Sequence, residues 1–498
     1  MNGLDDNYLF EDKLVDSDND GIYDYLDDNS DNDGLLDIEE NGMANTLSGL
    51  DSDNDGLDDN FEGSNINDPL DVNDEINNPS ASILPDLDLD KSSGGDLDYR
   101  DLFNTNPSYA STIDFDGIDD YLFGDSLLEG EGELTLMSWI KIDSDNSLGS
   151  TTILGEDDGC RLYITDGNKL MFGIRSSSGT THATAGINVN FDEWHHIAGV
   201  FSSTTGELMI YVDGNLEGYI LEPSLVGRTV SPSSDWNGSF EVGRRSTSLS
   251  GREHFKGDID EIRVFDTALS TDQLQQMVYQ EINNDGGFVK GTVIPKPIED
   301  RDTAQKVSWS NLLAYYSMTD IKNNTTADYS GNDYELTLMN INTLQDQTAP
   351  MPYETVSDGD WSSESTWLHG DVWDIEEASQ NKNWSIVSIK NNITTSSSHT
   401  NLGLMVDAGK ELVVNGDNKI ENTYYLELNG TLDLRGDSQL VQGLRSDLVT
   451  SATGKVKRRQ EGNSSPYWYN YWGSPVGSLG TTVLTNNNTI NNNTNNSE

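Results

Sequence analysis

Glu133-Leu134-Thr135-Leu136-Met137-Ser138-Trp139-Ile140-Lys141-Ile142 decides the fold class. Leu134, Leu136, Ile140 and Ile142 fall on alternate positions and share one face of an extended strand, while Met137 and Trp139 take the other. The same period returns at Leu208, Ile210 and Val212, just before Asp213-Gly214, a hairpin-turn dipeptide. It returns again at Trp194, His196, Ala198 and Val200. Val242 before Gly243, and Ile262 with Val264, mark further strands. A helix-like stretch follows over Ser270–Gln280, with Ser270 placed to cap its first turn. Many short strands parted by Gly, Asn and Asp turns predict a two-sheet sandwich or jelly roll.

Five phrases in this region carry a resemblance. They are Ile113-Asp114-Phe115-Asp116-Gly117-Ile118-Asp119-Asp120-Tyr121, Ser138-Trp139-Ile140-Lys141, Trp194-His195-His196-Ile197-Ala198-Gly199-Val200, Tyr211-Val212-Asp213-Gly214 and Gly257-Asp258-Ile259-Asp260-Glu261-Ile262-Arg263-Val264-Phe265. In this order residues 108–284 resemble the laminin-G-like, concanavalin A-like jelly roll. The resemblance implies two antiparallel sheets, a sugar-binding or adhesion role, and a calcium ion. It places that ion where the Asp116–Asp120 turn meets the Asp258–Glu261 strand, with Asp116 and Asp260 as ligands. Carboxylates gathered in this way need either a cation or backbone hydrogen-bond donors.

Before the sandwich, residues 1–104 form an acidic segment. Residues 1–101 hold 31 acidic side chains against Lys13, Lys91 and Arg100, close to half of the chain's net charge of −59. Three loops share one register: Asp16-Ser17-Asp18-Asn19-Asp20-Gly21, Asn29-Ser30-Asp31-Asn32-Asp33-Gly34 and Asp51-Ser52-Asp53-Asn54-Asp55-Gly56. Alternating oxygens followed by glycine suit calcium, which takes six to eight oxygen ligands and needs a sharp turn. The expected ligands of the first loop are Asp16, Asp18, Asp20, the Ile22 carbonyl, Asp24 and Asp27. Those of the second are Asn29, Asp31, Asp33, Asp37 and Glu40. Those of the third are Asp51, Asp53, Asp55, the Leu57 carbonyl, Asp59 and Glu62. A looser cluster comprises Asp86, Asp88, Asp90, Asp96 and Asp98, with Lys91 where the loop glycine would stand. Residues 14–101 resemble thrombospondin type 3 repeats in their bacterial Asp-x-Asp-x-Asp-Gly form. Without calcium, carboxylates at this density repel one another, and the segment is expected to order only on binding the ion.

Residues 285–350 read as a connector. Within it, Leu312-Leu313-Ala314-Tyr315-Tyr316-Ser317-Met318 and Asp328-Tyr329-Ser330-Gly331-Asn332 resemble the opening of a second jelly roll that is not completed. In residues 351–498, Gly409-Lys410-Glu411-Leu412-Val413-Val414-Asn415-Gly416 recurs loosely as Asn429-Gly430-Thr431-Leu432-Asp433-Leu434-Arg435-Gly436. That spacing fits one rung of a β-solenoid. Leu402, Leu404, Val406, Leu412, Val414, Ile420, Leu426, Leu428, Leu432, Leu434 and Leu440 are expected to stack inward. With the closing Tyr467-Trp468-Tyr469-Asn470-Tyr471-Trp472-Gly473-Ser474-Pro475, this region resembles surface proteins of gliding and marine Bacteroidota. The fold class expected for the chain is all-β.

Catalytic constellations are scarce. Retaining glycoside hydrolysis needs two facing carboxylates. Glu131-Gly132-Glu133 lacks a third acid, and Asp258-Ile259-Asp260-Glu261 coincides with a structural phrase of the jelly roll. His195 and His196 point to opposite faces of a strand, so they cannot chelate one ion. Cys160 is the sole cysteine, which excludes an intrachain disulfide and suits a small buried residue. Arg161, Tyr163, Arg175, Trp236, Arg244 and Arg245 are candidates to line a ligand surface, since aromatic faces and forked donors suit sugars and acidic polysaccharides. Lys455, Lys457, Arg458 and Arg459 read as a solvated strand face. The acidity disfavours nucleic acid and anionic membrane as partners, and no apolar run is long enough to span a bilayer.

The expected function is that of a non-catalytic, calcium-binding and glycan-binding region of an extracellular or cell-surface adhesin. The alternative is an accessory part of a secreted polysaccharide-degrading enzyme. The acidic residues directly after Met1 and the Asn/Thr-rich run from Thr485 to Glu498 suggest a fragment of a longer protein.

Overall fold

The structure is a computed structural model. It describes residues 112–458 apart from 119, 145–150, 157–158, 166–168, 178, 233–238, 245–253, 319–320, 323–324, 340, 342–343, 346–348 and 370–381. It also describes residues 17, 22–24, 26–31, 36–40, 48–50 and 97–100.

Two antiparallel sheets face each other. The inner sheet runs Asn215–Leu221, Glu207–Val212, Trp194–Ser202, Glu133–Ile142, Lys256–Phe265, Thr112–Asp116 and Leu344–Gln345 in spatial order. The outer sheet runs Ile321–Lys322, Thr325–Thr326, Leu336–Met339, Tyr121–Asp125, Ser239–Val242, Thr151–Glu156, Cys160–Thr165, Lys169–Ser176 and Gly179–Asn188. Leu134, Leu136, Ile140, Ile197, Phe201, Leu208 and Ile210 point between the sheets and meet Leu122, Leu154, Leu162, Phe172 and Phe240. Pairing across Glu133–Ile142 and Trp194–Ser202 is unbroken from Glu133↔Ser202 to Lys141↔Trp194, so register holds each alternating set on one face.

The supposed connector is a correction. Leu312–Tyr316 pairs with the second half of Lys256–Phe265, and Leu344–Gln345 pairs with Thr112–Asp116. Leu336–Met339 pairs with Tyr121–Asp125 in the outer sheet. Residues 312–345 therefore complete the first sandwich and do not open a second one. The reason is edge chemistry: without them Tyr121–Asp125 and part of Lys256–Phe265 would each present an unpaired ladder.

The inner sheet is buried on both faces. Met137, Trp139, Ala198, Val200, Tyr211 and Phe265 on its far side enter a second core with Leu274, Met277, Tyr279, Ile294 and Ile386. The helix Thr271–Gln275 begins there in a capping box, in which Ser270 and Gln273 satisfy each other's backbone N–H groups. It is shorter than the helical stretch read from the sequence. Two small hairpins, Ile282–Asp285 with Phe288–Gly291 and Glu299–Asp300 with Gln305–Lys306, follow it.

Residues 386–458 wind about three turns of β-solenoid. One parallel sheet holds Ile386–Ile389, His399–Val406, Lys419–Leu428, and Gln439–Gln442 with Asp447–Thr450. The other holds Ile393–Thr395, Glu411–Val414, Thr431–Leu434 and Lys455–Arg458. The inward set named from the sequence is buried, except that Leu440 is half-buried. Tyr353–Glu354 and Gly359–Asp360 pair onto the first turn, one in each sheet. Trp361 and Trp367 close that end of the apolar interior edge to face, with centroids 5.0 Å apart, and the Trp367 Nε1–H donates to the Trp361 carbonyl at 2.7 Å.

Candidate functional site

Side chains with binding chemistry converge on the face of the outer sheet that points away from the inner sheet. Leu338, Leu122, Val242, Leu154, Leu162 and Phe172 form one transverse row that points into the sandwich. One residue along, the adjacent row is Thr337, Phe123, Glu241, Gly155, Arg161 and Gly173. Strand alternation turns that row outward. Arg161 thus stands between two glycines. Gly155 has φ +140°, and a Cβ there would come within 2.3 Å of the Cys160 carbonyl oxygen, so no larger residue fits. Gly155 and Gly173, on either side of Arg161, are both buried.

Two cations on this face are positioned by aromatic rings. The Arg161 guanidinium lies 4.2 Å from the Tyr163 ring centroid, and its Nη1 donates to Thr152 Oγ1 at 2.9 Å. The Arg244 guanidinium lies 3.1 Å from the Tyr121 centroid, and its Nε donates to Glu241 Oε2 at 2.7 Å. Glu241 is 2% exposed and Arg244 9% exposed, so that pair is spent on structure, whereas Arg161 is half-buried. Arg175 lies two residues beyond Gly173 on the same face and is also half-buried. Of the ligand-surface candidates, Arg161, Tyr163, Arg175 and Arg244 are brought together, while Trp236 and Arg245 lie outside the described residues. Sequence reasoning misses Tyr121, Thr152 and Glu241. The alternation Tyr121-Leu122-Phe123 is the one available signal for the first.

Most expected calcium ligands lie outside the described residues: Asp16, Asp18, Asp20, Asp33, Asp51, Asp53, Asp55, Leu57, Asp59, Glu62, Asp86, Asp88, Asp90 and Asp96. Glu40 and Asp98 are described by backbone only, in the helix Asp37–Glu40 and the 3-10 turn Asp98–Arg100. Two repeats share one contact. Ser17 donates its N–H and hydroxyl to the two oxygens of Asp24, at 2.9 and 3.0 Å. Ser30 does the same to Asp37, at 2.7 Å each. The second-position serine thus closes each loop onto its ninth-position carboxylate. Arg100 Nε also lies 2.7 Å from Asp24. Asp27 accepts from the Asn29 N–H, Asp31 is buried and Ile22 is exposed. Asn29 Oδ1, the first-position oxygen of the second loop, is buried without a hydrogen-bond partner. A hard cation would satisfy that oxygen, so the described part of this loop fits calcium. Among the described residues, no cluster of three His, Cys, Asp or Glu side chains is arranged to hold a metal ion.

Asp116 and Asp260 are not brought together. Asp116 pairs with Lys256, four positions from Asp260, or about 13 Å along the strand. Asp260 is fully buried, and its oxygens accept from the Glu261 and Ala349 N–H groups at 2.9 and 3.0 Å. Those donors take the place the cation was expected to fill. Burial nevertheless pushes Asp260 up to about 7, and Asp258 likewise despite Lys141 beside it.

Several other acids and histidines of the sandwich hold structural partners. Glu261, at φ 52° in a bulge, is buried against the Arg263 guanidinium and accepts the Tyr315 hydroxyl at 3.0 Å. Glu133 accepts from the Thr204 N–H and hydroxyl. Glu156 is fully buried, its Oε1 accepting from the Leu127 and Leu128 N–H groups, and burial raises it to about 7. His196 is buried edge to face against Trp139, and burial lowers it to about 3. His195 is half-buried and bonded through Nδ1 to Asp213 at 2.8 Å. Cys160 is buried. Lys457 pairs with Glu411, and Arg458 donates to the Gly436 and Ser438 carbonyls.

Residues 116–275 match a laminin G-type family profile described as the concanavalin A-like lectin/glucanases superfamily. This part of the chain is a concanavalin A-like domain. A Rattus norvegicus protein, the sushi, von Willebrand factor type A, EGF and pentraxin domain-containing protein 1, is 26% identical over 174 residues, which is 33% of this chain. The chain spans 5% of that protein's length. Among solved structures, a protein from Bacteroides ovatus assigned as carbohydrate binding is 19% identical, covering 48% of this chain and 61% of its own, with a TM-score of 0.34. The heptameric SAP-like pentraxin of Limulus polyphemus is also 19% identical, covering 34% of this chain and 82% of its own, with a TM-score of 0.28. Among the described residues, no helix is long and apolar enough to cross a membrane.

Proposed function

We propose that the chain is a non-catalytic carbohydrate-binding and adhesion region that works outside the cell, and that the outer sheet's far face contributes its binding surface. The observation that carries the reading is the asymmetry of the sandwich. The inner sheet's far face is sealed by the second core. The outer sheet's far face instead carries arginines positioned over tyrosines, with Arg161 and Arg175 half-buried. The match of 116–275 to a concanavalin A-like lectin/glucanases profile supports the carbohydrate part of it. Protein sugar sites combine such fixed polar groups with aromatic surface.

The acidic repeats are read as a calcium-dependent spacer in the manner of thrombospondin type 3 repeats. Asn29, Asp31, Asp33, Asp37 and Glu40 would hold one ion, with corresponding sets around Asp16–Asp27 and Asp51–Glu62. The looser cluster Asp86, Asp88, Asp90, Asp96 and Asp98 would hold another. Calcium would neutralise part of the acidic excess and let the loops close. The solenoid serves as scaffold. No hydrolytic role is assigned: Glu133 and Glu261, the acids nearest to a hydrolase pattern, each already hold a structural partner.

A glycan array probed with the full chain, with millimolar calcium and with chelator, tests the reading. Glycan retention is expected, and it should weaken in Tyr163→Ala, which removes the ring that positions Arg161. A blank array in calcium would overturn the carbohydrate assignment.

A further inference from the structure

We infer that the edge strand of the inner sheet, Asn215–Leu221, carries a second glycan platform, on which Leu216, Tyr219 and Leu221 take an uncharged sugar chain. This rests on the carbohydrate reading above and adds a site and a ligand class to it. The seal over the inner sheet's far face ends at Tyr211 and Met209. Asn215–Leu221 lies one strand further out and, among the described residues, pairs only with Glu207–Val212. Register sets Leu216 opposite Tyr211, Tyr219 opposite Met209 and Leu221 opposite Glu207, so all three side chains share the far face. The bulge between Leu216 and Gly218 keeps Leu216 and Tyr219, three residues apart, on that one side. The three are 48%, 50% and 55% exposed, whereas Tyr211 beside them is 1% exposed.

Tyr219 is held in place by its hydroxyl and open along its ring. The hydroxyl donates to Glu207 Oε1 at 2.8 Å, and Thr205 Oγ1 donates to Glu207 Oε2 at 2.7 Å. That bond runs along a diagonal, from the partner of Met209 toward the partner of Leu221, and draws the ring across the sheet. Little side-chain freedom is then left to lose on binding. A sugar ring has a face made mostly of C–H groups, which leaves water for an aromatic ring while its hydroxyls stay wet. Leu216 and Leu221 extend the apolar surface to either side of Tyr219. Glu207 borders it with carboxylate oxygens, which accept hydrogen bonds from hydroxyl groups.

Charge and area favour this occupant over others. Glu207, Glu217 and Glu222 lie in or beside the strip, and no Lys or Arg occurs from Trp194 to Gly227. Lys382 acts on Glu217, at the Leu216 end. An acidic polysaccharide would meet like charge along the rest of the strip, in a chain of net charge −59. Three half-exposed side chains offer roughly 300 Å². A stable protein interface takes about 800 Å² from each partner, so the strip is small for a second copy, whose carboxylates would also face these. The bulge interrupts the free edge and disfavours an added strand.

Calorimetry on the full chain in low-millimolar calcium tests the inference. The probes are uncharged laminarin, xylan and maltodextrin oligosaccharides, with oligouronates as the acidic arm. Binding of at least one uncharged class is expected. Tyr219→Ala should weaken it at least about tenfold, or remove one of two titrating sites. Tyr219→Phe, which keeps the ring, should stay within about threefold of the parent chain. Leu221→Ser should weaken binding about threefold, and is the second variant should Tyr219→Ala lower the melting temperature. Uncharged-oligosaccharide binding that Tyr219→Ala and Leu221→Ser both leave unchanged would overturn the platform and keep the carbohydrate reading. Binding of oligouronates alone would do the same. Dimers in sedimentation velocity that Tyr219→Ala abolishes would overturn it in favour of a second copy. No binding to any probe would overturn both readings.

Discussion

Trp384→Ala tests whether the sandwich and the solenoid fold as one unit. Trp384 lies just before the first solenoid strand and is 5% exposed. Its Nε1–H donates to the Asp213 carbonyl at 2.9 Å, on the turn that joins Glu207–Val212 to Asn215–Leu221. Gly214 makes that seat possible: a Cβ there would come within 2.5 Å of Trp384 Nε1, and its φ of +80° already favours glycine. Truncating a buried tryptophan removes its apolar area and leaves a cavity, at a cost of about 3–5 kcal/mol. At about 2–4 °C per kcal/mol, melting should fall by at least about 6 °C. Gly214→Ala attacks the same contact from the other side, so the double variant should cost less than the sum of the two. Leu444→Ala, at a fully exposed position, should change nothing. Differential scanning calorimetry in saturating calcium reads all four, and the solenoid transition should separate from that of the sandwich in Trp384→Ala. Unchanged melting in both single variants, or strict additivity in the double, would refute a shared core.

Stability should also depend on pH with a definite sign. Glu156, Asp258 and Asp260 have their folded pKa values raised to about 7 by burial, so their contribution is fully present below about 4 and is lost as pH rises through about 7. With calcium held saturating, tryptophan fluorescence should report a lower melting temperature at pH 8 than at pH 5.5, and Glu156→Gln should flatten that slope; a rise toward pH 8 would contradict it. For calcium, Asp20→Ala and Asp55→Ala should each remove one ion by titration calorimetry, while Asp74→Ala, outside the loops, should leave the count alone. Equal losses in all three would mean diffuse binding.

The sequence by itself determined whatever a local period can carry. Alternation along Glu133–Ile142 and Glu207–Val212 specified strands, because a pleat fixes which neighbours share a face. Ser270 announced the start of its helix, because a cap is a contact across three residues. The inward leucines of the solenoid were legible because each rung repeats its neighbour, as Leu412 beside Leu432 shows. Arg161, Tyr163, Arg175 and Arg244 could be named as residue types suited to a ligand. That two strands and a loop would set them on one face could not, since register between strands leaves no local trace. The same limit explains Leu312–Tyr316, whose pattern says strand but whose partner, Lys256–Phe265, is a choice among every open edge in the chain. It explains the alternating set Trp194, His196, Ala198 and Val200 as well. That set turns away from the space between the two sheets and toward the second core. Period two reveals that a face is apolar; only the packed chain decides what covers it.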